Sequence, residues 1–167
     1  ITLVSVALKN KDLVSWSVAH GGNLNAALER APNPVEILKS LDGELNRPDA
    51  TGATPYDALA KAAGKDGYDK AEETFIKELQ QTPPADINSI AHKYVGPAAT
   101  PETLDRLVSM GADPKHITPG GRDLLQGAIM ADDKAAVYAP NDAVISKLVF
   151  DKKLDINRTA TLSDDYG

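Results

Sequence analysis

Thr103-Leu104-Asp105-Arg106-Leu107-Val108-Ser109-Met110-Gly111-Ala112-Asp113-Pro114 reads as an amphipathic helix followed by its own stop. Leu104, Leu107 and Val108 share one face at spacings of three and four, and Gly111 falls where a left-handed residue closes a helix. The phrase returns as Asp12-Leu13-Val14-Ser15-Trp16-Ser17-Val18-Ala19-His20-Gly21-Gly22-Asn23-Leu24-Asn25, with two glycines at the stop. Weaker copies run from Val35 to Asn46 and from Ile145 to Asn157, and a fifth ends Ala85-Asp86-Ile87-Asn88. Self-similarity on this scale is the mark of a repeat architecture. With Asn25, Asn46, Asn88, Lys115 and Asn157 as markers, successive intervals are 21, 42, 27 and 42 residues, so short units alternate with long ones.

A second motif precedes one of these helices. In Asp49-Ala50-Thr51-Gly52-Ala53-Thr54-Pro55-Tyr56-Asp57, Gly52 permits a tight turn, Thr54 can cap a helix, and Pro55 suits a first helical turn because its missing N–H would have no partner there. A helix is expected to begin at Pro55. Thr2-Leu3-Val4-Ser5-Val6-Ala7 and Asp123-Leu124-Leu125-Gln126-Gly127-Ala128 are degraded versions of the same start. Together the two motifs resemble the ankyrin repeat family: the Asp-x-x-Gly-x-Thr-Pro finger with its first helix, and the Gly-Ala-Asp ending of the second. Tyr56-Asp57 stands where the family usually has Leu-His.

That resemblance implies an all-α fold, an ankyrin-like helical-repeat solenoid of antiparallel helix pairs in one domain over residues 1–167. Its units are about 1–24, 25–45, 46–87, 88–114 and 115–156, with the start of another at 157–167. The intervals depart from the family period of about 33 residues. Units 25–45 and 88–114 lack the finger, and their connections are expected to be simple turns. The long units add residues between their helices, at 64–69 and 130–140. Both ends of the chain fall at the same phase of the repeat, so further repeats or another domain are expected to flank it, with contacts between this piece and its neighbours. First helices are expected near 2–9, 25–31, 55–63, 88–94 and 123–130, at least nine helices in all. Leu13, Val14, Val18, Val35, Leu38, Leu104, Leu107, Val108, Leu148 and Val149 are expected at the centre of the core.

Composition agrees with a folded, non-nucleic-acid-binding chain. The hydrophobic fraction of 42% over 167 residues is enough to bury a core. A net charge of −6 gives no general attraction to phosphate backbones or anionic membranes, so nucleic acid is excluded as the expected partner. No run approaches the roughly 20 apolar residues of a membrane helix, and the expected location is cytoplasmic. Cysteine is absent, which removes disulfides, thiolate metal sites and cysteine nucleophiles.

Isolated candidates for chemistry have plainer explanations. His20, His92 and His116 fall in different units and make no evident metal cluster. His20 precedes a helix stop, where it can bond the last carbonyls; His92 is a first-helix surface residue, and His116 belongs to a loop. Gly64-Lys65-Asp66-Gly67 lacks the length and the Lys-Ser/Thr ending of a phosphate loop and reads as an inserted surface loop. Glu72-Glu73, Asp132-Asp133 and Asp164-Asp165 read as solvated charge, because neighbours on a helix point apart. Asn157-Arg158-Thr159 matches a glycosylation triplet but is already accounted for by the repeat. Trp16, on a helical stripe, is expected in the core.

No catalytic constellation, cofactor or metal site emerges, and the expected function is a non-catalytic scaffold holding a partner protein. The family resemblance implies that contacts come from finger tips and first-helix faces. Carried over residue by residue, the candidates are Arg47, Asp49, Thr51, Tyr56 and Asp57 in one long unit and His116, Thr118, Arg122 and Gln126 in the other, with Arg158 and Thr161 continuing the row. The alternative is a structural or regulatory arm of a larger multidomain enzyme, including a bacterial effector acting in a host cytosol.

Overall fold

The computed structural model describes residues 45–48, 51–65, 69–129 and 140–158, together with Trp16 and His20. The described residues are helical, with no strand among them. Six helices follow in chain order: α1 (Pro55–Lys65), α2 (Asp69–Gln81), α3 (Ile87–Tyr94), α4 (Pro101–Ser109), α5 (Leu124–Ile129) and α6 (Asp142–Ser146). The last runs directly into a π-helical turn over Lys147–Asp151. By position, α1 and α2 fall within 46–87, α3 and α4 within 87–114, and the remainder within 115–156. The helices expected near 2–9 and 25–31, and the phrases 12–25 and 35–46, lie outside the described residues apart from Trp16 and His20 and the phrase end at 45–46.

Helix starts follow local chemistry. The turn at 51–54 has Gly52 at φ +84°, and α1 begins at Pro55 as the motif predicts. The Thr54 N–H donates to Asp57 Oδ2 at 2.8 Å while the Asp57 N–H donates to Thr54 Oγ1 at 3.2 Å, a reciprocal capping box. α5 opens the same way: Asp123 and Gln126 exchange bonds of 2.9 and 3.0 Å between each backbone N–H and the other's side chain. Thr100 caps α4 ahead of Pro101, Asp86 caps α3 and Asn141 caps α6.

The second-helix phrases end alike, with one informative difference. After α4, Gly111 sits at φ +112°, and the Ala112 N–H returns to the Leu107 carbonyl at 3.0 Å, burying Ala112. After α6, Lys153 takes the left-handed place at φ +58°, and the Leu154 N–H returns to the Leu148 carbonyl at 3.1 Å, burying Leu154. The second copy carries one more residue between the buried leucine and the left-handed position, and the π-turn absorbs it.

The helices pack in chain order, with α1 and α3 at the centre of the contacts. α1 packs on α2 and α3; α3 packs on α4 and α5; α6 packs on α5 and α4. One continuous apolar core results, from Leu45 and Tyr56 through Phe75, Tyr94 and Leu107 to Leu148 and Leu154. Phe75 stacks on Tyr94 with centroids 5.3 Å apart and meets Tyr56 edge-on at 6.3 Å. Leu104, Leu107 and Leu148 are fully buried as expected, whereas Val108 and Val149 are only half-buried, at the edge of the apolar stripe.

Three sequence expectations are corrected. Gly64 is not in a surface loop. It lies in α1, where its Cα faces the Tyr94 backbone and its carbonyl accepts from the Ala98 N–H at 2.7 Å. Glu72 is not solvated: its Oε1 accepts from Tyr94 Oη at 2.8 Å, Thr100 Oγ1 at 2.9 Å and Thr103 Oγ1 at 2.9 Å, tying α2 to the end of α3 and the start of α4. Burial in this cluster, opposed by hydrogen bonds from Thr100 and reinforced by the Glu72 carboxylate, pushes the Tyr94 phenol up to about 12, so it remains a donor at neutral pH. Trp16 is 52% exposed, stacked on His20 at 4.1 Å rather than filling a core. His20 does bond the helix carbonyl, with Nδ1 2.7 Å from the Trp16 oxygen.

Asn141 is a structural residue the sequence reading passed over. Buried at the start of α6, it accepts from the Val144 N–H and donates through Nδ2 to the carbonyls of Gly96 at 2.9 Å and Ala99 at 2.8 Å. Asn141→Ala removes a helix cap and strands buried carbonyls of the 96–99 loop. The expected loss is about 2–3 kcal/mol, read as a shift of urea midpoint without a change in slope.

Candidate functional site

The two finger turns occupy corresponding places before α1 and α5. In the first, Arg47, Pro48, Thr51 and Gly52 are exposed, and Asp49 lies outside the described residues. In the second, the turn at 118–122 closes on itself. The Thr118 N–H donates to the Arg122 carbonyl at 2.8 Å, the Gly121 N–H to the Thr118 carbonyl at 2.8 Å, and the Arg122 N–H to Thr118 Oγ1 at 3.1 Å. Gly121, at φ +81°, supplies the left-handed residue this closure needs. Ile117, Pro119 and Gly120 project to solvent, Ile117 with 47% of its surface exposed.

Side chains at the unit junctions hold these turns in place. Asn46 donates to the Pro83 carbonyl and accepts from the Ala85 N–H, both at 2.9 Å, and Asn88 accepts from the Asp113 N–H at 2.8 Å. Asn46 thus reaches the loop after α2, and Asn88, in α3, the loop after α4. Arg158 performs a related task one unit on, donating to Asp123 Oδ2 at 2.8 Å and to the Gly121 carbonyl at 3.3 Å.

Several candidate contact residues therefore have other work. Tyr56 is fully buried, with its hydroxyl donating to the Thr82 carbonyl at 2.7 Å; burial, reinforced by the charge of Glu78, raises its pKa above the ordinary phenol value. Asp57 is buried in the capping box of α1, and Gln126, half-buried, serves the same purpose in α5. Tyr56 is closed off from solvent, and Asp57 keeps 9% of its surface exposed, in the hollow between Gly52 and Asp86. Arg158 is half-buried as a brace for the second finger, and Thr161 lies outside the described residues. Arg47 and Thr51 are exposed, and Thr118 and Arg122 are half-buried in the second turn.

His92 and His116 are separate in sequence but adjacent in space. His92 Nε2 lies 3.1 Å from His116 Nδ1 and 3.2 Å from the His116 carbonyl, with ring centroids 5.3 Å apart. Burial, with the neighbouring His116 and Lys93, lowers the His92 pKa, against the pull of the His116 carbonyl and Asp123. Their 24-residue separation hid this contact, which only the packing of the second finger against α3 creates. Among the described residues, no group of three or more histidines and carboxylates is arranged to hold a metal ion.

On the outer surface, Asp105 of α4 pairs with Lys147 at 2.6 Å and Lys152 at 2.8 Å, which holds its carboxyl below the usual range. Only half-buried and open to solvent on one side, these pairs add little stability. No helix of the described residues is long and apolar enough to cross a membrane. No family model, curated protein or solved structure matches the chain.

Proposed function

We propose that this chain is an ankyrin-like stack of antiparallel helix pairs that works as a non-catalytic protein-binding scaffold, with α1/α2, α3/α4 and α5/α6 as successive units. Support for the stack comes from the packing of first helices α1, α3 and α5 in order, from two equivalent capping boxes, and from two equivalent left-handed stops. The observation that carries the binding role is the pair of finger turns. The backbone of the second is closed by its own hydrogen bonds and braced by Arg158, so the tip presents Ile117, Pro119 and Gly120 in a fixed shape. A preorganised tip loses little conformational entropy when a partner docks.

The contact residues on this reading are Arg47, Thr51, Ile117, Thr118 and Arg122. Ile117 joins the set; Tyr56, Asp57, Gln126 and Arg158 are engaged within the fold, His116 packs on His92, and Asp49 and Thr161 lie outside the described residues. Arginine is frequent among residues whose truncation costs most at interfaces. Against a partner protein, Arg47→Ala and Arg122→Ala are each expected to weaken binding about tenfold, equivalent to about 1.4 kcal/mol. The effect of Arg47→Ala on folding should stay below about 0.5 kcal/mol, as for other surface changes, and that of Arg122→Ala, at a half-buried position, is read beside it. Titration calorimetry checks the first, and thermal unfolding of the same samples the second. Deleting 130–139 should leave affinity unchanged. Loss of binding on that deletion, with both arginine variants binding normally, would assign recognition to the insertion instead.

A further inference from the structure

We propose that the His92–His116 contact is a proton-operated latch, holding the second finger loop against α3 in neutral solution and releasing it when both rings are protonated. The latch joins two units: His92 belongs to α3, and His116 stands two residues before the self-closed turn 118–122. Because that turn is tied by its own bonds and also held by Arg158 at the Gly121 carbonyl, it can shift as one piece about that brace when the His92 contact is lost.

The chemistry of the facing atoms makes the contact conditional. A hydrogen bond between His92 Nε2 and His116 Nδ1, 3.1 Å apart, needs a hydrogen on one nitrogen and a lone pair on the other. An imidazolium carries hydrogens on both nitrogens, so in the doubly protonated pair two N–H groups of like charge face each other and neither ring offers the other an acceptor. The His116 carbonyl, 3.2 Å from His92 Nε2, is the acceptor left to a protonated His92 and pulls against the repulsion between the rings.

Other charges around the pair set the direction of the response. Lys93, next to His92 on α3, opposes protonation, whereas Asp123, at the head of α5, favours it. Asp123 is already engaged by Arg158 at 2.8 Å, which limits its help, and Arg122 adds a further positive residue beside it in the loop. α1 and α4 also pack on α3, but none of their described ionisable groups acts on His92. Desolvation of the half-buried ring is the largest influence and disfavours its charge.

The sign follows from linkage. His92 has a folded-state pKa below the unfolded value of 6.5, so the folded chain binds fewer protons than the unfolded one as pH falls through that window. Its contribution is complete above about pH 6.5 and is lost on acidification until the folded pKa is passed, at up to about tenfold in the folding constant per pH unit.

Proton NMR of the intact chain between pH 7.5 and 5 resolves the histidine rings individually. The expected result is a His92 ring that titrates below 6.5, with the amides of Ile117, Thr118 and Gly121 shifting along the same curve and exchanging faster at the acid end. His92→Gln should flatten the acid loss of folding stability, and His116→Gln should uncouple the loop amides from the remaining His92 titration. A His92 ring titrating at the ordinary value, loop amides indifferent to pH in the native chain, or a His92→Gln profile identical to the parent's would each overturn the latch. The native-chain titration decides the matter even if a variant fails to fold.

Discussion

Gly64→Ala is expected to destabilise the fold by at least about 3 kcal/mol, the upper end for overpacked sites, or to prevent folding altogether. On helix propensity alone the change should help, since alanine is favoured over glycine in a helix interior by roughly 0.5–1 kcal/mol. Packing reverses the sign. A Cβ built on Gly64 would lie 1.9 Å from the Tyr94 carbonyl oxygen, a backbone atom that cannot swing aside as a side chain would. The approach is mutual, because a Cβ on Gly96 would fall 2.7 Å from the Gly64 oxygen. α1 and the end of α3 are therefore in backbone contact, sealed by the Ala98 N–H to Gly64 bond. Denaturant unfolding measures the effect, and a neutral or stabilising result would mean that the two helices do not meet in this way.

Leu107→Ala should cost about 2–5 kcal/mol, the range for deleting a packed leucine. Leu107 is fully buried in the core that joins α4 to the neighbouring helices, and its carbonyl also receives the Ala112 N–H that closes α4. Because the backbone bond survives the substitution, the loss reports the deleted side chain: its lost burial together with the cavity it leaves. Val108→Ala, at a half-buried neighbouring position, should cost distinctly less. Equal losses at the two sites, measured by urea unfolding, would show that the helix face has been assigned wrongly.

The helical fold was legible where one segment contained its own instructions. Gly52, Thr54 and Pro55 specify a turn, a cap and a first helical residue, and α1 starts there; Leu104, Leu107 and Gly111 specify a face and a stop, and both are found. The errors arose where partners are remote or where one signal was read without its neighbour. Tyr56 belongs to an apolar stripe with Leu59, Ala60 and Ala63, and Thr54-x-x-Asp57 matches a capping box, so the burial of both residues was available from spacing. A family position read as a contact site obscured it. Gly64, Glu72 and Asn141 are different, because each takes its meaning from atoms 22 to 45 residues away, and no local pattern announces them. The same holds for the meeting of His92 with His116. Ile117 carries no local signal of its own; its exposure goes with the closed turn beside it.

The most direct test of the scaffold reading is site-specific photocrosslinking from the finger edge. A photoreactive phenylalanine is placed singly at Arg47, Thr51 and Ile117, and at Glu102, Arg106 and Ser109 on the exposed face of α4 as controls. The account predicts that all three finger positions capture one and the same protein, and that capture from Ile117 is lost when Arg47 and Arg122 are also replaced by alanine. Capture of that protein from α4 with none from the fingers, or finger adducts that survive the double substitution undiminished, would contradict it.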